Sequence, residues 1–304
     1  MKKNVLISGG SGFIGKHLTH LLVEKGFSVS ILSRSEKENK EDISYYKWDV
    51  DKSYIDENAV LNADYIVHLA GEGIADKRWT TKRKEAIVES REKSTELIYG
   101  VLKKNAKKPE AFISASGIGI YGAINGSEIC TENTIPANDF LGTTCQKWEA
   151  AANTIESLGI RTVKIRTGLV LGKDEGFLKK LAPIFKLKLG SALGSGKQYM
   201  PWIHIDDLCE IYFESITNSE MSGAYNAAIN DNTTNTVFSK KLAKVYGYSI
   251  WLPNVPAFLI QLAMGEIAQI VLTGKRVSSE KIEKTGFKFK FLNLEDALRD
   301  CLEK

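Results

Sequence analysis

The feature that most constrains this chain is a glycine-rich turn close to its first residue. Gly9-Gly10-Ser11-Gly12-Phe13-Ile14-Gly15 follows a short apolar run, Val5-Leu6-Ile7, and opens a helical pattern over residues 13–24. A strand, a glycine turn and a helix in that order bring unpaired backbone N–H groups and the positive end of a helix dipole to one point, where phosphates bind. Each glycine has a separate task there. Gly9 or Gly10 makes the tight turn, Gly12 lets the backbone approach a pyrophosphate, and Gly15 lets helix and strand pack closely. Lys2-Lys3 imitates the start of a signal peptide, but the apolar run stops at Ser8-Gly9-Gly10, too short for an h-region. Residues 4–7 therefore read as a first strand leading into a dinucleotide cradle.

Short β-branched runs then alternate with helical patterns. Strands are expected at 4–7, 28–32, 44–47, 65–69, 111–114 and 162–165, with the clearest helices at 13–24, 81–102 and 146–158. Such alternation means right-handed crossovers and a parallel sheet covered on both faces. After Gly168 the alternation breaks. Residues 177–188 read as helix, 190–196 are glycine-rich, 202–205 read as a strand with Asp206-Asp207 capping the next helix, and 224–228 read as one more strand. The rest is mostly helical and ends at 294–302. The expected fold class is α/β: a doubly wound Rossmann sheet with a smaller, mostly helical C-terminal substrate lobe. Residues 1–172 with 200–229 form the nucleotide-binding domain, and 173–199 with 230–304 form the lobe. A cleft between them is expected to hold a ligand besides the cofactor. The apolar stretch 255–272 contains Gln261, Glu266 and Gln269, which a membrane span would bury in hydrocarbon. It reads as a soluble helix over the cleft or at a subunit contact, with no membrane association.

The end of the second strand selects the cofactor. An NAD enzyme usually ends this strand with an acidic residue that binds both ribose hydroxyls. Here it ends Leu32-Ser33-Arg34-Ser35, so nothing acidic waits for a 2′-hydroxyl, and an arginine can pair with a 2′-phosphate. The expected cofactor is NADP(H), with Ser33, Arg34 and Ser35 at its phosphate and Asp49 bordering the adenine. Net charge is only +4, from 41 basic and 37 acidic residues, which argues against a nucleic-acid partner. Cys130, Cys145, Cys209 and Cys301 lie far apart with no CxxC pair, which suits a reducing cytoplasm and neither a disulfide framework nor zinc.

Gly9-Gly-Ser-Gly-Phe-Ile-Gly15 together with His68-Leu-Ala-Gly71 resembles the extended short-chain dehydrogenase/reductases, the nucleotide-sugar epimerase superfamily. The resemblance sharpens within an atypical branch of epimerase-like proteins of unknown substrate. It recurs at residues 71–79, 114–122, 147–149, 166–172, 194–198 and 202–207, and residues 276–302 resemble that branch's C-terminal module of unknown function. It spans nearly the whole chain. It implies a cofactor set of Gly9, Ser11, Gly12, Phe13, Ile14, Ser33, Arg34, Ser35, Asp49, Leu69, Ala70, Gly71, Cys145 and Arg166. It also implies a catalytic tyrosine with a lysine four residues on, the lysine lowering the tyrosine pKa. That pair is missing. Anchoring on Glu149 puts Cys145 at the lysine position and Leu141 at the tyrosine position. Tyr121 has Asn125 four residues later, not lysine. Ser116 and Tyr121 remain as catalytic candidates, weighed against a satisfied strand-end hydroxyl and a packing aromatic.

Three further features are weighed the same way. Arg78 and Trp79 read as a cleft wall against the substrate, while Lys77, Lys82, Arg83 and Lys84 read as a solvated helix face. Trp202 is a further substrate candidate. One histidine, His204, beside capping aspartates reads as structural, so no metal is expected. These readings add up to an NADP(H)-dependent oxidoreductase or epimerase-like protein acting on a small polar substrate, as a monomer or homodimer. The alternative is a non-catalytic NADP(H)-binding sensor or partner protein.

Overall fold

The computed structural model describes residues 2–173 and 175–303. The first part alternates as the sequence pattern requires: β1 (Asn4–Ser8), α1 (Phe13–Glu24), β2 (Ser28–Ser33), β3 (Ile43–Asp49), β4 (Tyr54–Ile55), α2 (Glu57–Leu61), β5 (Tyr65–His68), α3 (Thr81–Lys104), β6 (Ala111–Gly117), β7 (Ile129–Cys130), α4 (Phe140–Glu156) and β8 (Arg161–Thr167). Then come β9 (Leu169–Leu171), α5 (Gly176–Lys186), β10 (Trp202–His204), α6 (Ile205–Thr217), β11 (Gly223–Ala227) and α7 (Asn235–Val245). The chain ends with α8 (Ala257–Met264), α9 (Ala268–Leu272), β12 (Arg276–Val277), α10 (Glu280–Glu283) and α11 (Leu294–Glu303).

The main sheet runs β11-β8-β6-β5-β1-β2-β3-β4, parallel except for the short edge strand β4. Strand residues alternate between its two faces. Val5, Ile7, Val67, Ile113 and Val163 meet Leu18 and Leu22 of α1 and Leu208, Ile211 and Tyr212 of α6. Leu6, Ile66 and Phe112 meet Ala59 of α2, Ile98 and Leu102 of α3, and Ala152 and Ile155 of α4. Both faces are thus covered, as a parallel sheet needs. From β1 the chain builds outward through β2 and β3, then returns to the other side of β1 with β5. The carboxyl ends of β1 and β5 therefore flank the topological switch point, where doubly wound sheets bind ligands.

A second core gathers Leu171, Leu178, Phe185, Trp202, Phe238, Leu242, Leu294 and Leu298 from β9, α5, β10, α7 and α11. β10 pairs with β9 in a small separate sheet, not with the main one. Three expectations change here. Trp202 is fully buried and its Nε1 donates to Asp231 Oδ2 at 3.0 Å, so it anchors this core and is closed to a substrate. His204 caps α6 by accepting the Asp206 N–H, while the Asp207 carboxylate accepts the Lys290 and Phe291 N–H groups and ties down the C-terminal module. The stretch 255–272 is not one helix. It breaks at Gly265, whose φ of 64° favours glycine, into α8, a short 3-10 turn and α9. Among the described residues no helix is long and apolar enough to cross a membrane.

Candidate functional site

Gly9 adopts φ 74°, a left-handed conformation that ends β1 in a tight turn. A methyl group there would also stand 3.0 Å from Ala70 N, so the turns after β1 and β5 touch. Gly15 lies under the turn, where an added Cβ would fall on the Gly9 carbonyl and 2.6 Å from Gly10 Cα. Gly12 differs. Its backbone is ordinary, at φ −78°, and an added Cβ would meet only the Gly9 carbonyl oxygen at 3.2 Å. Gly12 is also the N-cap of α1 and offers no side chain to its first-turn N–H groups, a task that side chains perform for α3, α4, α6 and α7. Ser11 and Gly12 are exposed. The turn is therefore an open row of donors at the positive end of α1, the cradle a pyrophosphate fits. Phe13 and Ile14 contribute backbone N–H groups to it. The Phe13 ring turns away and packs near Gly172 and Gly176.

Around this cradle the carboxyl ends of neighbouring strands assemble much of the expected set. At the end of β2, Ser33 Oγ donates to the Ser35 carbonyl at 2.7 Å and shapes the turn, leaving Arg34 exposed. Arg34 makes no hydrogen bond or ion pair among the described residues. It lies near enough to Glu72 to join Arg83 in holding that carboxyl below its usual range. Asp49 ends β3 and accepts the Lys52 N–H at 3.2 Å.

Leu69, Ala70 and Gly71 leave β5 beneath a hydrogen-bonded chain that sequence reading missed. The Ala70 N–H donates to Ser8 Oγ, which lies 2.6 Å from His68 Nδ1, and His68 Nε2 lies 3.0 Å from Ser94 Oγ. This suits a neutral imidazole, one nitrogen accepting and the other donating. Burial, with help from the Arg91 charge, holds the His68 pKa down to about 4. The unfolded imidazole takes its proton near 6.5, so the stability His68 contributes is complete above that pH. It is lost as pH falls from about 6.5 to about 4, for a total of about 3 kcal/mol. Urea melts at pH 7.5 and 4.5 are expected to show this loss, and His68→Asn to shrink it. An unchanged difference in the variant would remove His68 as its source.

The far side of the crevice is built by α4. Leu141, Cys145 and Glu149 follow at helical spacing along it and face the end of β6. Leu141 Cβ and Cys145 Sγ would lie 3.5 and 3.6 Å from a Cβ on Gly119, and Ser116 Oγ donates to Glu149 Oε1 at 2.8 Å. Several expectations are corrected by burial. The Cys145 thiol is pushed up to about 12, first by burial and then by Glu149, which keeps it a neutral group at the family's lysine position as the anchoring on Glu149 assigns it. Burial works against the Arg166 charge, but Glu149 more than offsets it through bonds of 2.8 and 2.9 Å to Nε and Nη2. With Nη1 bonded to Tyr121 Oη and the Glu132 carbonyl, four of the five Arg166 N–H donors are taken within the protein. Tyr121 is buried, its hydroxyl donating to Asn226 Oδ1 at 2.6 Å, and burial pushes its pKa to about 12. That placement matches the packing aromatic. Ser116 is as buried as these, 4% exposed, with its hydroxyl on the Glu149 carboxylate.

Of Arg78 and Trp79, only Trp79 turns inward; Arg78 stays exposed. Arg78 Nη2 donates to the Leu262 and Ala263 carbonyls and caps α8. Trp79 is buried with Ile87, Leu141 and Ile267, its Nε1 donating to the Ile74 carbonyl at 2.8 Å. Arg83 and Lys84 are not a solvated face either. Arg83 binds Glu72 and the Gly73 carbonyl, and Lys84 pairs with Glu266. The glycine-rich loop lies beside a separate groove of about 280 Å³ lined by Ser195, Lys197, Gln198, Tyr199 and Asn125.

A doubly wound sheet with an open glycine cradle at its switch point defines a dinucleotide-binding α/β protein. A family model described as "NAD dependent epimerase/dehydratase family" matches residues 5–228, and the chain belongs to that family. A second model, "Domain of unknown function (DUF1731)", matches residues 255–301. Epimerase family protein YfhF of Bacillus subtilis is 33% identical over 300 residues, 98% of each chain. Among solved structures, human epimerase family protein SDR39U1, crystallised with NADPH, is 29% identical with a TM-score of 0.88 over 99% of both chains. A nucleoside-diphosphate sugar epimerase from Corynebacterium glutamicum is also 29% identical, with a TM-score of 0.80, covering 99% of this chain and 58% of that one.

Proposed function

We propose that this protein is an NADP(H)-dependent oxidoreductase of the epimerase family, acting in the cytoplasm on a small polar substrate. The observation that carries the reading is the pairing of an open phosphate cradle at Gly9–Gly12 with Arg34, exposed and without a carboxylate rival on its strand. The NADPH in the human relative supports the same choice. When bound, the cofactor supplies or accepts the hydride. The residues of the chain hold it by α1's open N–H groups and by Arg34. In this reading Ser116, hydrogen-bonded to Glu149, is the group that exchanges a proton, at Oγ. Four buried cysteines, none in a disulfide among the described residues, favour a reducing compartment.

NADPH is expected to bind more tightly than NADH. Arg34→Ala should remove about 1–3 kcal/mol of that preference, the scale of a charge-assisted contact. Titration of both cofactors against both proteins checks this, and equal affinities in the wild type would overturn the choice. One observation favours a second reading, a cofactor-binding sensor without turnover. Leu141, which the anchoring on Glu149 puts at the family's tyrosine position, is packed with Trp79 and Ile267.

A further inference from the structure

Helix α3 lies on the sheet through Ile87, Arg91, Ser94, Thr95 and Ile98. Arg91 puts a full charge on that stripe with only 7% of its surface exposed. Its guanidinium lies 4.4 Å from the centroid of Trp148 on α4. Nη1 donates to the Ile87 carbonyl at 2.7 Å and the Glu72 carbonyl at 3.2 Å. A methyl group on Gly71 would stand 3.3 Å from its Cζ, and its charge reaches Cys145. The guanidinium therefore lies between the turn after β5 and the face of α4 that borders β6.

A buried charge is ordinarily paired and fully hydrogen-bonded. This one is not. Glu72, the carboxylate nearby, is bound by Arg83. Nε of Arg91 is buried without an acceptor. Nε1 of Trp148, on the ring beneath it, is likewise buried and unpaired. Donors therefore accumulate here without acceptors. The topology narrows what could satisfy them. With the phosphates at the turn after β1 and the adenine half toward Arg34 and Asp49 on β2 and β3, the β5–β6 side is left for the nicotinamide half.

We propose that Arg91 is a cofactor-binding residue that supplies the positive charge absent at Cys145, donating to a ribose hydroxyl of the nicotinamide half of NADP(H). The assignment rests on the cofactor reading above. It is tested by titrating wild type, Arg91→Met and Arg91→Lys with NADPH and with 2′,5′-ADP, which carries only the adenine half. Each unliganded protein is also melted. Arg91→Met should weaken NADPH binding about ten- to a hundredfold, the range for a hydrogen bond to a charged group, and leave 2′,5′-ADP unchanged. Arg91→Lys keeps the charge but loses the planar fork, so a loss of roughly three- to tenfold, again for NADPH alone, is expected. It carries the comparison if Arg91→Met does not fold. A lowered melting temperature with equal effects on both ligands would make Arg91 structural and overturn the proposal. Wild-type protein that bound neither ligand would overturn the cofactor reading, and this assignment with it.

Discussion

Gly12→Val is expected to abolish NADPH binding while moving the unliganded melting temperature by only a few degrees. The two halves of that result come from different parts of the turn. At φ −78° and ψ 178° Gly12 sits in extended backbone that valine readily adopts. A Cβ there meets one carbonyl oxygen at 3.2 Å, so the fold has little to give up. The side chain would instead project over the exposed donors at the start of α1, where a pyrophosphate must reach the backbone. Gly15→Val is the control. Its Cβ would fall on the Gly9 carbonyl and against Gly10 Cα, so β1 and α1 would have to part. That variant should lose folding stability by several kcal/mol, the cost of overpacking and more. Isothermal titration and thermal melts of both variants separate the effects. A Gly12→Val protein that still bound NADPH normally would mean the turn is no phosphate cradle.

The cradle was legible in the sequence because everything it needs is local. A strand, three glycines and a helix lie within residues 4–24, and no distant partner decides their shape. The sheet was legible for a similar reason, since alternating strands and helices leave few topologies. What failed was decided by partners far along the chain. Trp79 looked like a cleft wall, but Ile267 helps to cover it. Lys84 looked solvated, but Glu266 waits for it, and Trp202 looked like a ligand contact until Asp231 and the core around α11 closed over it. The short strands β7 and β12 pair across well over a hundred residues and carry no local signal. Arg91 is the exception. An arginine set into a stripe of Ile87, Ser94, Thr95 and Ile98 at helical spacing is readable from sequence alone, as a charge on a face meant to be buried.

Interconversion of UDP-glucose and UDP-galactose is expected to be absent, or about 10²–10⁴-fold slower than with a tyrosine–lysine pair, the usual contribution of general acid–base catalysis. Leu141 has no proton to exchange, and Cys145, with a thiol pushed up to about 12, is uncharged at neutral pH and lowers no neighbour's pKa. Tyr121 cannot step in. Its hydroxyl is held by Asn226 and Arg166, and its own pKa lies near 12. Positioning and hydride transfer survive these losses, so turnover of some other carbonyl substrate remains open to the fold. Following NADPH consumption against a panel of carbonyl compounds locates it. Given a substrate, Ser116→Ala should lower kcat about a hundredfold or more, because the proposed function assigns proton exchange to its Oγ. Tyr121→Phe should instead lower stability by about 1–3 kcal/mol, the cost of leaving buried partners unpaired, with kcat nearly unchanged. Turnover that survived Ser116→Ala would remove Ser116 from the chemistry. Tight NADPH binding beside an inert panel would move the balance toward the sensor, whose closed apolar cluster of Trp79, Leu141 and Ile267 needs no substrate. Rapid interconversion of the two UDP-sugars would contradict the placement of Leu141 and Cys145 outright, since neither side chain can do what that reaction requires.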